Sequence, residues 1–413
     1  MTVFDINRAA LVLIDLQNDF LDARGAFAKA GLRETSDDEL QPTLSAGNRL
    51  IAQARIAGRP IVFVRTAVRA DHADAALAPA WTLRGINSET GALAEGTWGA
   101  DFLPGLDRTD GDFAVTMKGH DAFLHTDLDR ILTNLEVDQL IIGGGPMNET
   151  LMSTIRTAVA LRYATFPVRE AIFPPQKEAS DRRSASPLSI ADIEAAVANR
   201  RTSPATADEK RSAMVVIDLY EEFLNLDRPW RVPPTEEEKE RRQRKNLEII
   251  EKNRVLAEAM RARGWPVIFV NVSNRADALD SAMAEYYIDY VVETAQEGEP
   301  FLLEDSASVR VVEGVADEGD FFLDKKGHGG FFMTPLHRVL RNLGVRRCIV
   351  TGGATGGCVD ETVREGVGYG YDVTLVSDAL YPPDSDEYLA NVLSTFGRVV
   401  TTSQMLQELQ PTP

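Results

Sequence analysis

The chain writes one pattern twice, about 200 residues apart, and this constrains its fold more than any other feature. The apolar run Ala10–Leu16, with Asp15 near its end, returns as Met214–Leu219 with Asp218. Gly58–Val64 returns as Gly264–Val270, Lys118-Gly-His120 as Lys326-Gly-His328, and Leu132–Val137 as Leu340–Val345. Order is kept and spacing changes by only a few residues. A period this long suits duplication of a whole domain, so the 413 residues divide into two copies of one unit.

Each copy alternates short apolar runs with longer amphipathic segments, the pattern of an α/β domain around a buried parallel sheet. In the first copy the strands are expected at Leu11–Leu16, Ile61–Arg65, Phe113–Met117, Leu140–Gly143 and Thr165–Arg169. In the second they are expected at Met214–Leu219, Val267–Asn271, Phe321–Asp324, Cys348–Thr351 and Val373–Ser377, with a sixth at Val399–Thr402. Thr235, with Glu238 three residues on, predicts a capped helix running to Arg263. The expected architecture is two tandem Rossmann-like domains, each a parallel sheet flanked by helices, at 1–175 and 210–413. A linker at 176–209 carries a short helix, Ser189–Arg200.

Composition excludes several classes of function. With 44 basic and 63 acidic residues the net charge is −19, which repels nucleic acid and anionic membranes. No apolar stretch approaches the ~20 residues of a membrane helix, and Met1–Ala10 lacks the pattern of a signal peptide, so a cytoplasmic protein is expected. Two cysteines give neither a disulfide framework nor a Cys-rich metal site.

In open α/β sheets ligands bind beyond the carboxyl ends of the strands. There the second copy carries Asp218 at the end of its first strand, Lys326 after its third and Cys358 after its fourth, in Thr351-Gly-Gly-Ala-Thr-Gly-Gly-Cys358. The small residues suit a tight turn into a helix, whose dipole, with Lys326, is expected to favour a thiolate. Cys348 falls mid-strand and reads as core. His120 and His328 recur after each lysine, as substrate contacts or as inherited structural hydrogen bonds.

These residues resemble the isochorismatase-like cysteine hydrolases, which include nicotinamidases, N-carbamoylsarcosine amidohydrolase and ureide or biuret hydrolases. The resemblance covers both copies. It implies that Cys358 attacks a carbonyl carbon, that Asp218 takes its proton and passes it to the leaving amine, and that Lys326 holds both electrostatically. It also implies a cis peptide at Gly353–Ala354, with the N–H groups of Ala354 and Cys358 as the oxyanion hole, and Tyr220, Arg275, His328 and Thr355 as candidate substrate contacts. The nicotinamidase metal pattern is absent here, so no metal or cofactor is expected. A small amide, ureide or imide is the expected substrate, and a homo-oligomer or intramolecular pseudo-dimer the expected assembly.

The first copy departs from the family. It keeps Asp15 and Lys118, but Thr150 stands at the cysteine position and Pro146 removes one oxyanion donor. A degenerate first site beside a catalytic second one is the reading that follows. Two alternatives stay open: isochorismatase-type vinyl-ether hydrolysis by Asp15 and Lys118, and a non-catalytic binding or regulatory pseudoenzyme.

Overall fold

Among the described residues eleven strands form two wholly parallel sheets. The computed structural model describes residues 3–33, 36–145, 150–173, 187–200, 211–220, 224, 235–298, 301–381 and 394–410. In the first domain the strands are β1 (Ala9–Ile14), β2 (Ile61–Thr66), β3 (Phe113–Met117), β4 (Gln139–Gly144) and β5 (Ala164–Ile172), in the order β3-β2-β1-β4-β5. The second has β6 (Ser212–Ile217), β7 (Val267–Val272), β8 (Phe321–Lys325), β9 (Arg347–Gly353), β10 (Asp372–Tyr381) and β11 (Arg398–Val400), in the order β11-β10-β9-β6-β7-β8. The two orders superimpose, with β11 added beyond β10.

The central strands are buried along their whole length, as expected where helices cover both faces. Their side chains alternate between two cores. Leu11 and Leu13 pack with Leu50 and Ile51 of the helix Asp37–Ile56, whereas Val12 and Ile14 pack with Leu128, Leu132 and Ile155 on the other face. In the second domain Val215 and Ile217 share a core with Leu336, Leu340, Val363 and Cys358. Met214 and Val216 face Ile249, Leu256 and Met260 of the helix Glu236–Ala262. That helix begins with the expected capping box between Thr235 and Glu238.

The chain divides into compact units at Met1–Pro204 and Ala205–Pro413. The helix placed in the linker, Ile190–Ala198, belongs to the first unit: Ile190 and Ile193 lie in the core beneath helix Asp37–Ile56. An amphipathic helix with two buried isoleucines stabilises the surface it covers and is no free connector. Among the described residues no helix is long and apolar enough to cross a membrane.

Candidate active site

Asp218 follows the last residue of β6 with φ at 45°, in the left-handed region, and Asp15 does the same after β1 with φ at 52°. Asp tolerates this conformation better than most residues, and at Asp218 it accompanies a carboxylate directed at the neighbouring strands. Asp218 Oδ1 accepts from the Val272 N–H at the end of β7, at 2.7 Å. Val272 is paired in register with Lys325, the last residue of β8. Lys325 Nζ thereby reaches Asp218 Oδ2 at 2.9 Å, with both side chains out of solvent.

Lys325 takes the place expected for Lys326. Its ammonium also lies 3.3 Å from Cys358 Sγ and donates to the Gly327 carbonyl at 2.9 Å. Lys326, one residue on, projects the other way: its Nζ pairs with Asp280 at 2.8 Å and with Glu304, and donates to the Ser273 carbonyl. The reason is the period of two along a strand. Leu323 packs towards the core that contains Cys358, so Lys325 shares that side and Lys326 does not. A fully buried lysine is rare unless paired. Burial works against its charge, but Asp218 and then the Cys358 sulfur outweigh it and raise the ammonium's pKa.

Cys358 sits in a turn, Thr355–Val359, that leads into the helix Asp360–Gly368. The Ala354 carbonyl accepts from the Gly357 and Val359 N–H groups and fixes the turn. The Gly353–Ala354 peptide is cis, as the family resemblance implies. Gly352 has φ at 92°, and a Cβ there would meet the Ile217 carbonyl oxygen at 2.0 Å; a Cβ at Gly353 would enter the Tyr381 ring. The surroundings work against the expected thiolate. Burial first, and the Asp218 carboxylate second, push the Cys358 thiol up to about 12, against the opposing pull of Lys325.

A cavity of about 530 Å³ opens beside this turn, lined by Ala282, Gly327, His328, Phe332, Glu361 and Glu365 among others. His328 connects it to the sulfur, with Nδ1 3.7 Å from Cys358 Sγ. The other candidate contacts are not brought there. Tyr220 is fully buried and its hydroxyl donates to the Val272 carbonyl at 2.6 Å, replacing the amide of Gln17, which donates to the equivalent Thr66 carbonyl in the first domain. Thr355 is buried and donates to the Tyr381 carbonyl. Arg275 is exposed and paired with Asp277, as Arg69 is with Asp71.

The first domain differs from the second at more than the cysteine position. Met117 ends β3 at the position of Lys325, and Thr150 is buried at the position of Cys358. Lys118 repeats the behaviour of Lys326, pairing with Asp74 and Glu95. The Asp15 carboxylate accepts from the Thr66 N–H and hydroxyl. His120 accepts from the Ala78 N–H and packs on Trp81, a structural role. Pro146 lies outside the described residues.

Sequence reasoning missed Lys325, Tyr381 and Glu365. The Tyr381 hydroxyl donates to the Asp218 carbonyl at 2.5 Å, and Glu365 accepts from the Phe331 N–H at 2.8 Å and the Phe332 N–H at 3.3 Å. For Lys325 the signal was present, since it falls on the inward parity of β8. For the other two no local motif marked the contact.

A doubly wound α/β domain with an aspartate, a buried lysine and a cysteine converging from three strand ends defines an enzyme-like thiol site. The Isochorismatase domain model matches residues 9–186 and 212–405, and the chain belongs to that family, with the domain in tandem. Ureidoacrylate amidohydrolase RutB of Enterobacter sp. (strain 638) is 35% identical over 105 residues, 24% of this chain and 46% of the relative. The chain therefore spans under half of that relative's length. Among solved structures, an isochorismatase family protein from Burkholderia thailandensis is 25% identical, covering 49% of this chain and 96% of its own, with a TM-score of 0.38. A cysteine hydrolase from Pseudomonas syringae pv. phaseolicola 1448A is 26% identical, covering 48% and 92%, with a TM-score of 0.39.

Proposed function

We propose that the second domain hydrolyses a C–N bond of a small amide, ureide or imide through a thioester on Cys358. The contact of Lys325 with both Asp218 and Cys358 carries this reading. Burial and the Asp218 carboxylate favour the protonated thiol, so a base is needed to take the Sγ proton, and Asp218 is the adjacent base. Asp218 takes the Sγ proton, the sulfur attacks the carbonyl carbon, and the N–H groups of Ala354 and Cys358 receive the oxyanion. Asp218 returns the proton to the leaving nitrogen as the C–N bond breaks. Water, deprotonated by the same carboxylate, then attacks the thioester carbon; the C–S bond breaks, the acid departs, and the sulfur takes that proton back from Asp218. Lys325 holds the carboxylate in place and offsets the negative charge that passes between oxygen and sulfur.

Likeness to a ureidoacrylate amidohydrolase supports a ureide or related amide as the substrate class. Ammonia release measured over amides, ureides, imides and hydrazides tests the proposal. Cys358→Ala and Cys358→Ser should lose at least on the order of 10³-fold in kcat/KM, and Thr150→Ala should retain activity. Turnover that survives Cys358→Ala and fails with Asp15→Asn transfers the chemistry to the first domain.

A further inference from the structure

The wall beside Cys358 has a charge pattern that the hydrolytic mechanism does not require. The described residues lining the cavity include Asp360, Glu361 and Glu365 and no lysine or arginine. Asp360 is neutralised by Arg364, one helical turn on, at 2.8 Å. Glu361 is exposed, and Glu365 is half-buried with one oxygen committed to the Phe331 and Phe332 N–H groups. Neither Glu361 nor Glu365 pairs with a lysine or arginine of the lining, and the cation that acts on Glu365 is the buried Lys325. Phe332, 54% exposed, lines the same cavity and adds an aromatic ring to it. Carboxylates beside an open aromatic ring are the chemistry that recognises an organic ammonium.

The two copies show that this wall accompanies the thiol. The hydrogen bond from the Gly330 N–H to the Thr362 hydroxyl is repeated by that from the Ala122 N–H to the Thr154 hydroxyl, which fixes the register between the domains. In that register Glu361, Glu365 and Phe332 correspond to Ser153, Thr157 and Leu124. The acidic and aromatic wall occurs where the cysteine does, and is missing where threonine replaces it.

We infer that the cavity beside the Cys358 turn selects substrates whose remainder carries an ammonium group, and rejects those carrying a carboxylate. This rests on Cys358 being the nucleophile. Two measurements on the full chain test it. In the first, Cys358 is modified with methanethiosulfonates bearing a trimethylammonium or a sulfonate; the thiolate attacks the sulfenyl sulfur, a mixed disulfide forms and methanesulfinate leaves. At low ionic strength the cationic-to-anionic rate ratio should exceed that of N-acetylcysteine amide by on the order of tenfold. It should fall towards that free thiol in Glu361→Gln and further in Glu361→Gln/Glu365→Gln. Should the double variant fail to fold, the exposed Glu361 alone carries the comparison. A wild-type ratio equal to the free thiol overturns the inference. In the second, an N-carbamoyl diamine is compared with an N-carbamoyl amino acid of equal length; kcat/KM should favour the diamine by on the order of tenfold or more. The reverse preference overturns the inference while leaving the thiol mechanism intact, whereas activity that survives Cys358→Ala removes both.

Discussion

Met117 and Lys325 close equivalent edge strands, β3 and β8, and both are fully buried. One is the linear apolar chain that the other would be without its charge. The Met117 domain also lacks the thiol, so in this chain the ammonium and the sulfur occur together. That is the pattern expected of groups that act as one unit and not of an ion pair held for stability.

The adjacent lysines should therefore separate cleanly under mutation. Lys325→Met is expected to lower kcat by on the order of 10³-fold and to destabilise the second domain by about 3–5 kcal/mol, because it leaves Asp218 buried without its counter-charge. Asp218→Asn/Lys325→Met should recover most of that stability and none of the activity. Lys326→Met should keep kcat and raise KM several-fold, since Lys326 holds Ser273, Asp280 and Glu304 together close to Ala282, which lines the cavity. Ammonia-release kinetics and urea unfolding check both; loss of kcat in Lys326→Met with Lys325→Met active would reverse the assignment.

The raised thiol pKa fixes a pH dependence. Burial and Asp218 hold Cys358 protonated, and both act against the thiolate, so alkylation by iodoacetamide should climb steadily with pH and show no plateau below about pH 10. Asp218→Asn removes one of the two causes, so it should speed labelling near neutrality while abolishing turnover. The folded thiol ionises above its unfolded value. Its contribution to stability is thus complete below about pH 8.5 and is lost as pH rises towards 12. Mass-spectrometric labelling rates between pH 6 and 10, read on the Cys358 peptide, decide the matter.

Much of this arrangement was readable before any coordinates, for definite reasons. The strands were legible because buried parallel strands are continuous apolar runs, and every expected run coincides with an observed strand to within a few residues. Asp218 and Cys358 were legible because strand ends carry the chemistry of open α/β sheets. The lysine was misplaced by one residue because the repeated Lys-Gly-His motif drew attention to Lys326, which was duplicated for a loop contact both copies share. Tyr220 reads as a substrate contact from the family resemblance, yet its hydroxyl makes the bond that Gln17 makes in the other copy. Chemical difference at one position hid geometric equivalence, which only the positions of the two carbonyls reveal.

In the first domain Thr150 is a stability liability. Its hydroxyl is fully buried and has no hydrogen-bond partner among the described residues. Thr150→Val keeps the shape and removes the unpaired polar group, so it should stabilise that domain by about 1 kcal/mol and leave turnover unchanged. Thermal unfolding of the full chain gives the first, and the ammonia assay the second. A destabilised variant would mean that the hydroxyl is engaged.

The glycines before the cysteine turn should tolerate no side chain. A Cβ on Gly352 would lie 2.0 Å from the Ile217 carbonyl oxygen, and on Gly144 at 1.9 Å from that of Ile14, each with φ near 100°. Backbone cannot yield as a flexible side chain does, so Gly352→Ala and Gly144→Ala should each cost over ~3 kcal/mol in their own domain. Only the first should abolish activity, because only the second domain has the thiol to position. Gly353→Ala differs, since its obstacle is the Tyr381 ring. Adding Tyr381→Ala should relieve that clash and recover part of the stability. It should not recover full kcat, because the Tyr381 hydroxyl also holds the Asp218 carbonyl. Unfolding midpoints and kcat for the single and double variants measure this, and a double variant no more stable than Gly353→Ala alone would show that the ring is not what the glycine accommodates.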